Sequence, residues 1–351
     1  MSAPLEARRF RVALTADFYS PDGSPRYRDL GLDVLEAEAQ IELRRFAEHR
    51  PEIGADQIED AHGVIVLTPR VTAESVSRAR DLLAIGRFGV GVDTVDVGAC
   101  TAADVLVFIA AGAVDHSVAE AALAWMLALA YRVRAKDALV RAGRWDERSG
   151  FMGSELRDRT LGVIGLGGIG RALIRLTAGF GMRPPLACDP HLDPGPAAEL
   201  GAKLVSLDEL LRAADFVSIH CPLTDETRNM IGRRELGLMK PEAYLINTAR
   251  GGIVDENALH EALASRRIAG AAVDVFDREP LTGPHPFASV ENVLLAPHSI
   301  AWTHELFRDI GRTVSRGMLD LSRGERPRGA INPEVFEREG FQRKRTRLTG
   351  G

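Results

Sequence analysis

Three ionisable residues in the second half of the chain stand after apolar runs of strand character. They are Arg250, which precedes two glycines, Glu279 and His298. Ligands of open α/β sheets collect at the carboxyl ends of the strands, so the three side chains are candidates for one site. A planar guanidinium can hold a carboxylate through two parallel hydrogen bonds, and a histidine can transfer a proton near neutral pH. Each residue taken alone also has an ordinary structural explanation as part of a loop or turn.

A glycine-rich turn precedes these residues in the chain. The apolar run Leu161–Ile164 leads into Gly165-Leu-Gly-Gly-Ile-Gly170 and then into a helical pattern. In such a motif the first glycine permits a tight turn, the second lets the backbone approach a diphosphate, and the third lets the helix pack on the strand. Asp189 follows 19 residues after Gly170, where a dinucleotide fold has the acid that binds the ribose hydroxyls. The spacing predicts a dinucleotide site; the alternative is a glycine-rich turn that binds nothing.

The composition argues against several classes of protein. The chain has 351 residues, enough for two domains, and its net charge of −5 argues against a nucleic-acid surface. Its three cysteines are scattered and form no CxxC pair, which favours a reducing compartment over a disulfide scaffold or a structural zinc site. The longest apolar stretch, Ala121–Tyr131, is too short to span a bilayer, and no signal peptide is visible. We expect a cytoplasmic protein without a nucleic-acid partner, a membrane partner or a metal site.

Alternating strand and helix patterns predict the elements that position these residues. In the first part of the chain, strands are predicted at 10–18, 40–46, 63–68, 82–90 and 105–110, and helices at 55–61 and 72–81. This alternation implies a parallel sheet with helices on both faces. A long helical pattern then covers about 114–143.

A second alternating unit begins at Thr160. Its predicted strands are 161–165, 186–189, 203–205, 216–221, 244–248, 270–275 and 293–296. Ser206 and Asp255 are predicted to begin helices as N-cap residues. The last helix, at about 303–323, has no strand partner in the second unit, so we expect the chain to cross back and complete the first domain with it. The tail that follows is charged and without periodicity, which predicts disorder.

Seven blocks in this order resemble the D-isomer-specific 2-hydroxyacid dehydrogenase family. The blocks are Gly89-Val-Gly-Val-Asp93, Ser117-Val-Ala-Glu120, Gly165-Leu-Gly-Gly-Ile-Gly170, His220-Cys-Pro-Leu-Thr224, Asn247-Thr-Ala-Arg-Gly251, Asp274-Val-Phe276 with Glu279-Pro280, and Pro297-His298. The resemblance covers about residues 10–335, and the stretch 143–156 is similar to the phosphoglycerate dehydrogenase branch.

The resemblance implies an α/β fold of two doubly wound parallel-sheet domains. A Rossmann NAD-binding domain, 111–297, would be inserted in a flavodoxin-like substrate domain formed by 1–110 and 298–335. Residues 336–351 would form the disordered tail.

The resemblance also implies a reaction and its catalytic residues. A hydride would pass between NAD(H) and a 2-hydroxy acid/2-oxo acid pair. The backbone amides of Val90 and Gly91 would hold the substrate carboxylate, together with Arg250. His298 would act as general acid and base, and Glu279 would orient its ring and stabilise its charged form.

The cofactor contacts implied by the family fall on identifiable positions. They are the motif residues Gly165, Gly167, Gly168, Ile169 and Gly170, then Asp189 at the ribose, Pro222, Thr227 and Thr248, and Asp274 at the nicotinamide amide. The carboxylate at the ribose favours NAD over NADP, because a 2′-phosphate would meet a like charge.

This chain departs from the family pattern in two places. Many relatives have an arginine where this chain has Gly168, so diphosphate binding would depend more on backbone amides. The stretch before Ser117 lacks the proline and asparagine that are common there, so the role of His116 is open. Helical spacing relates His116 to Glu120, which predicts a local ion pair or a dimer contact rather than catalysis.

The substrate and one alternative function stay open at this stage. The chain could be a 3-phosphoglycerate dehydrogenase or a glyoxylate/hydroxypyruvate reductase. Arg70 offers one cation for a phosphate, but Val66 stands where the phosphoglycerate branch tends to have an arginine. Some relatives instead bind NAD and act as corepressors or scaffolds without turnover. The family also implies a homodimer, and Ala121–Tyr131 either faces the second subunit or is buried within one subunit.

Overall fold

The computed structural model describes residues 9–349 and divides the chain into two compact α/β units. Unit 1 is formed by Met1–Val114 and Thr303–Gly351, and unit 2 by Asp115–Trp302. The sequence predicted the two domain boundaries after residues 110 and 297. These positions lie four residues before the first observed boundary and five residues before the second.

Within residues 9–349 the chain forms twelve strands and twelve α-helices. The strands are β1 (Phe10–Leu14), β2 (Ile41–Arg45), β3 (Gly63–Val66), β4 (Ala84–Arg87), β5 (Leu106–Ile109), β6 (Leu161–Ile164), β7 (Leu186–Cys188), β8 (Lys203–Leu204), β9 (Phe216–Ile219), β10 (Tyr244–Asn247), β11 (Gly270–Val273) and β12 (Val293–Leu295). The helices are α1 (Asp33–Glu36), α2 (Ala55–Ile58), α3 (Val97–Ala102), α4 (Asp115–Ala130), α5 (Val133–Arg141), α6 (Gly168–Thr177), α7 (Pro194–Ala198), α8 (Leu207–Ala213), α9 (Arg233–Leu238), α10 (Glu256–Ala264), α11 (His304–Ser322) and α12 (Glu339–Thr349).

Each unit contains one parallel sheet. The sheet of unit 1 has the order β2-β1-β3-β4-β5, which is the flavodoxin-like order of doubly wound folds. The sheet of unit 2 has the order β12-β11-β10-β9-β6-β7-β8. Its first strand in the chain, β6, lies inside the sheet between β9 and β7, as in a Rossmann fold extended by one strand. The predicted fold class is therefore confirmed.

The strands of unit 2 are buried on both faces. Phe216 and Ile246 belong to the hydrophobic core on one side of the sheet, whereas their neighbours Val217 and Leu245 belong to the core on the other side. A strand covered by helices on both faces needs apolar residues at every position, which is why these segments show no alternation of polar and apolar residues.

Helix beginnings in unit 2 follow the predicted caps. The Ser206 hydroxyl accepts a hydrogen bond from the Glu209 N–H at 3.2 Å, and the Asp255 carboxylate accepts one from the Ala258 N–H at 3.0 Å. The predicted helix over 114–143 is instead two helices, α4 and α5, because Arg132 adopts a left-handed conformation with φ of 54° between them. The segment 72–81, predicted as a helix, forms turns.

The predicted disorder of residues 336–351 is wrong for the part that the structure describes, which ends at 349. Helix α12 packs on unit 1 and buries Phe341 completely. The Lys344 ammonium group points inward and donates to the backbone oxygens of Leu82 and Ala103 at 3.1 and 2.7 Å. The charged composition misled the prediction, since a lysine with an apolar stem can be buried when carbonyl groups receive its N–H donors.

Candidate active site

The turn between β6 and α6 explains two of the motif glycines, Gly165 and Gly170. Gly165 has a φ of +87°, and a β-carbon there would lie 2.6 Å from the backbone nitrogen of Cys221. A β-carbon at Gly170 would lie 2.4 Å from the Gly165 oxygen, so only glycine lets helix and strand approach this closely. At Gly167 no heavy atom of the described residues, its chain neighbours aside, lies within 4 Å of the β-carbon position, which leaves open space beside the turn.

Asp189 is held at the same turn. One carboxylate oxygen accepts a hydrogen bond from the Leu166 N–H at 2.9 Å, and the other accepts one from the His191 N–H at 3.1 Å. These two bonds fix the carboxylate at the carboxyl end of β7, next to the start of α6. This is the position at which the sequence predicted the acid for the ribose.

Glu279 and His298 form a direct pair. The Nδ1 atom of His298 donates to Glu279 Oε2 at 2.6 Å, and the Phe276 N–H donates to Glu279 Oε1 at 2.8 Å. Burial alone would raise the pKa of Glu279. The hydrogen bonds from His298 and Phe276, with the positive charges of His298 and Arg250, outweigh the burial and lower that pKa. The carboxylate is therefore ionised at neutral pH, as an orienting partner must be.

The loop that carries Arg250 packs against the loop that carries Glu279. The Asn247 side-chain amide donates to the Arg250 oxygen at 3.0 Å and closes the turn after β10. A β-carbon at Gly251 would lie 2.0 Å from the oxygen of Phe276, whose N–H holds Glu279. Backbone contact between adjacent strand ends thus brings the three predicted catalytic residues into one cluster within unit 2.

Asp274 shapes the segment that contains His298. Its backbone oxygen accepts from the His298 N–H at 2.7 Å, and its carboxylate accepts from the N–H groups of Ser299 and Ile300 at 2.9 and 3.2 Å. His298 itself has a φ of +52°, a left-handed conformation that is unfavourable for residues with a β-carbon. The three bonds to Asp274 compensate for this strain and set the direction of the imidazole ring.

The remaining predicted cofactor residues of unit 2 lie at neighbouring strand ends. The Thr227 hydroxyl donates to the Pro222 oxygen at 2.7 Å and closes the loop after β9. The Thr248 hydroxyl, after β10, is buried and has no hydrogen-bond partner among residues 9–349. A buried hydroxyl in this state is unfavourable unless a ligand satisfies it. With the open space at Gly167 and the held carboxylate of Asp189, the residues present fit a dinucleotide.

Two predicted substrate residues, Val90 and Gly91, belong to unit 1. They lie three and four residues after the end of β4, at the carboxyl end of the unit 1 sheet. The preceding residue, Gly89, accepts a hydrogen bond from the Ala110 N–H at 2.9 Å, which ties the loops after β4 and β5 together. At the end of β3, Val66 is fully buried and Arg70 is exposed.

Other histidines have structural partners. His116 pairs with Glu120 at 3.4 Å, as the helical spacing predicted, and both side chains are exposed. His220 hydrogen-bonds Ser218 at 2.8 Å, and burial lowers its pKa to about 4, so its ring is neutral. Within the described chain no group of three or more His, Cys, Asp or Glu side chains could hold a metal ion. The helices described are also too short or too polar to cross a membrane.

Sequence reasoning missed two positioning residues of this cluster. It did not identify the side chain of Asn247, and it assigned Asp274 only to the cofactor. Asn247 did carry a signal, because asparagine at a strand end commonly hydrogen-bonds the backbone of the following turn. The bonds from Ser299 and Ile300 to Asp274 carried none, since they join residues 25 and 26 positions apart.

The family assignment follows from a comparison with known families. Residues 123–299 match the family model described as D-isomer specific 2-hydroxyacid dehydrogenase, NAD binding domain. The chain belongs to this family. The match confirms the family resemblance that the seven sequence blocks indicated. It also confirms the predicted cofactor, NAD.

Individual members of the family are similar over most of the chain. It is 36% identical over 314 residues to the glyoxylate reductase of Thermococcus litoralis, covering 87% of this chain and 94% of that protein. It is 39% identical over 273 residues to the D-3-phosphoglycerate dehydrogenase of Archaeoglobus fulgidus, covering 78% of this chain but 51% of that protein. The chain thus spans about half the length of that dehydrogenase. The crystal structure of the TT0316 protein from Thermus thermophilus superposes with a TM-score of 0.77 at 32% identity, covering 92% of this chain and 100% of that one.

Proposed function

We propose that this protein catalyses NAD-dependent hydride transfer between a D-2-hydroxy acid and its 2-oxo acid. The observation that carries the proposal is the 2.6 Å hydrogen bond from His298 to Glu279, formed in a cluster where the Arg250 charge acts on the same carboxylate. A histidine, an ionised carboxylate and an arginine at adjacent strand ends supply a proton donor, its orienting partner and a cationic group for the substrate.

Each of the three residues has a separate task in this reaction. Because Nδ1 of His298 donates to Glu279, the ring presents Nε2 as the atom that exchanges a proton with the substrate oxygen. The negative charge of Glu279 stabilises the imidazolium that exists before reduction and after oxidation. The guanidinium of Arg250 binds the substrate carboxylate and carbonyl oxygen. When bound, the nicotinamide group supplies or accepts the hydride.

The dinucleotide would be held by the residues described at the start of α6 and at the neighbouring strand ends. The N–H groups of Gly168 and Ile169 would bind the diphosphate, and the Asp189 carboxylate would bind the ribose hydroxyls. Pro222, Thr227, Thr248 and Asp274 are proposed to line the path to the nicotinamide end.

For the substrate we propose a small, unphosphorylated 2-oxo acid such as glyoxylate or hydroxypyruvate. The backbone N–H groups of Val90 and Gly91 are proposed to bind its carboxylate. Val66 at the end of β3 is apolar and fully buried, so it offers no charge to a phosphate, and Arg70 is exposed.

The test is a panel of acids assayed by the absorbance of NADH. Glyoxylate, hydroxypyruvate, a bulkier 2-oxo acid and 3-phosphohydroxypyruvate should be offered to the wild-type protein and to His298→Ala, with NADH and with NADPH. We expect NADH-dependent reduction of the two small acids and loss of that activity in the variant. Preferred turnover of the phosphorylated acid would refute the substrate proposal and leave the dehydrogenase proposal intact.

A corepressor or scaffold of the same family would give a different result in this test. Such a protein would bind NADH and turn over none of the acids, and His298→Ala would change nothing. The intact cluster of His298, Glu279 and Arg250 favours the enzyme, because a protein without turnover has no need for an oriented proton donor.

We further propose that the protein is a homodimer joined through α5 and the segment after it. Of the two alternatives for Ala121–Tyr131, burial within one subunit fits most of the helix, whose side chains pack in the core of unit 2. By contrast, Val140, Trp145 and Met152 are 63%, 63% and 76% exposed, which is unusual for large apolar side chains in one short segment. Light scattering should give a dimer mass for the wild-type protein and a monomer mass for Val140→Glu.

A further inference from the structure

The first residue of α6 is covered by a carboxylate from another helix. Around the β-carbon position of Gly168, the Asp115 side chain places Oδ2 at 1.9 Å, Cγ at 2.4 Å and Oδ1 at 2.7 Å. No residue larger than glycine fits at position 168 unless Asp115 moves. The two residues are therefore sterically coupled.

Two helix N-termini meet at this carboxylate. Asp115 is the first residue of the 16-residue helix α4, and α6 begins at Gly168 without a side-chain cap from Gly167. Helix N-termini carry partial positive charge and unpaired N–H groups, so they attract an anionic group. However, no hydrogen bond to the Asp115 carboxylate is found among residues 9–349, and burial raises its pKa. The carboxylate is attracted to the start of α6 but is not fixed there.

The start of α6 is also where the Rossmann motif receives the cofactor diphosphate. In this chain the space around the β-carbon position of Gly168 contains the carboxylate of Asp115. A diphosphate that approaches Gly168 and Ile169 meets a like charge and must displace it or bind against its repulsion.

We propose that Asp115 lowers the affinity for the dinucleotide by competing with its diphosphate for the N-terminus of α6, and that Gly168 makes this competition possible. The inference rests on NAD binding by unit 2 and is independent of which acid is turned over. Asp115 is thus an affinity-setting residue that the glycine motif does not reveal.

The experiment is a set of equilibrium binding measurements on the full-length protein without substrate. Dissociation constants for ADP-ribose, which contains the diphosphate, and for adenosine, which lacks it, should be measured by calorimetry for the wild-type protein and Asp115→Asn. Asparagine keeps the size of the side chain and is tolerated at a helix N-terminus as well as aspartate is, so the substitution removes the charge alone. We expect Asp115→Asn to bind ADP-ribose roughly tenfold more tightly and adenosine with unchanged affinity, because only the diphosphate meets the removed charge.

A matched control comes from the same helix. Glu120→Gln also removes one negative charge from α4, but Glu120 is exposed and paired with His116, so neither affinity should change. Asp115→Ser serves as a second charge-free variant and should tighten ADP-ribose binding in the same way. Equal ADP-ribose affinity of the wild-type protein and both Asp115 variants, including no detectable binding by any of them, would overturn the proposal. An equal gain for adenosine, or a gain in Glu120→Gln as large as in Asp115→Asn, would also overturn it. Absence of turnover with every 2-oxo acid would refute the proposed enzymatic function but would not affect the comparison of ADP-ribose affinities.

Discussion

The substitution Gly251→Ala tests whether backbone contact between two loops holds the catalytic cluster together. A β-carbon at this position would lie 2.0 Å from the Phe276 oxygen and 2.1 Å from its carbonyl carbon, whereas ordinary contacts begin at 3.4 Å. The two loops must therefore separate by about 1.4 Å. Because Phe276 donates its N–H to Glu279, the displacement moves the carboxylate relative to Arg250.

A misplacement of roughly 1 Å can lower the rate of an enzyme by about a hundredfold, so we expect kcat/KM to fall by roughly that factor. Overpacking of this kind destabilises the fold by about 1–3 kcal/mol, so the variant should still fold at room temperature. The dissociation constant for ADP-ribose should stay within about twofold, since the glycine turn and Asp189 follow other strands. Steady-state kinetics, calorimetry and thermal unfolding measure the three quantities.

Gly237→Ala is the matched control for this prediction. It makes the same substitution within α9, where none of the described residues outside the helix's own turn has a heavy atom within 4 Å of the β-carbon position. The control should keep full activity and gain slight stability, as alanine is favoured over glycine in a helix. If Gly251→Ala kept activity within threefold of the wild-type protein, the close contact between the two loops would not be what positions Glu279.

Three further changes should have defined effects on stability. Asp274→Ala leaves buried N–H groups unpaired, so it should lower the free energy of unfolding by about 1–3 kcal/mol and abolish activity. Asp274→Asn keeps an acceptor and should retain most of the stability and most of the activity. Equal losses in the two variants would contradict this. Asp255→Ala removes the N-cap of α10 and should cost about 1 kcal/mol in urea denaturation, and no change would show that the cap is dispensable. Burial lowers the pKa of Lys344 from 10.5 to about 8. As the pH increases between these two values, Lys344 is deprotonated in the native state but still protonated in the unfolded state. The free energy of unfolding should therefore rise by up to about 1.4 kcal/mol per pH unit. This rise should be absent in Lys344→Met.

Much of the fold follows from local sequence patterns. Apolar runs separated by helical patterns predicted the strands of both sheets, because parallel strands buried on two faces are apolar throughout. The glycine spacing predicted the turn between β6 and α6, since each glycine answers a steric need that any dinucleotide fold has. Arg250, Glu279 and His298 were predicted as site residues because they follow strands, and strand ends of a parallel sheet share one edge.

The features that the sequence did not reveal depend on contacts between distant residues. Nothing local indicates that Gly251 touches Phe276, that Asp274 accepts hydrogen bonds from the segment after His298, or that Asp115 covers Gly168. The segment of helix α12 was predicted to be disordered because it is highly charged. Its sequence does not indicate that the Lys344 side chain points into unit 1. The break at Arg132 was missed because a left-handed residue other than glycine or asparagine has no sequence signature.

The central claim is that Glu279 acts on the reaction through His298. The most direct measurement is a double-mutant cycle on single-turnover reduction of glyoxylate by NADH, with the wild-type protein, Glu279→Gln, His298→Ala and the double variant. We expect Glu279→Gln to slow the wild-type reaction by roughly tenfold to a hundredfold and to have no further effect once His298 is removed, because residues that act as a unit are not additive. An equal loss from Glu279→Gln in both backgrounds would contradict the account.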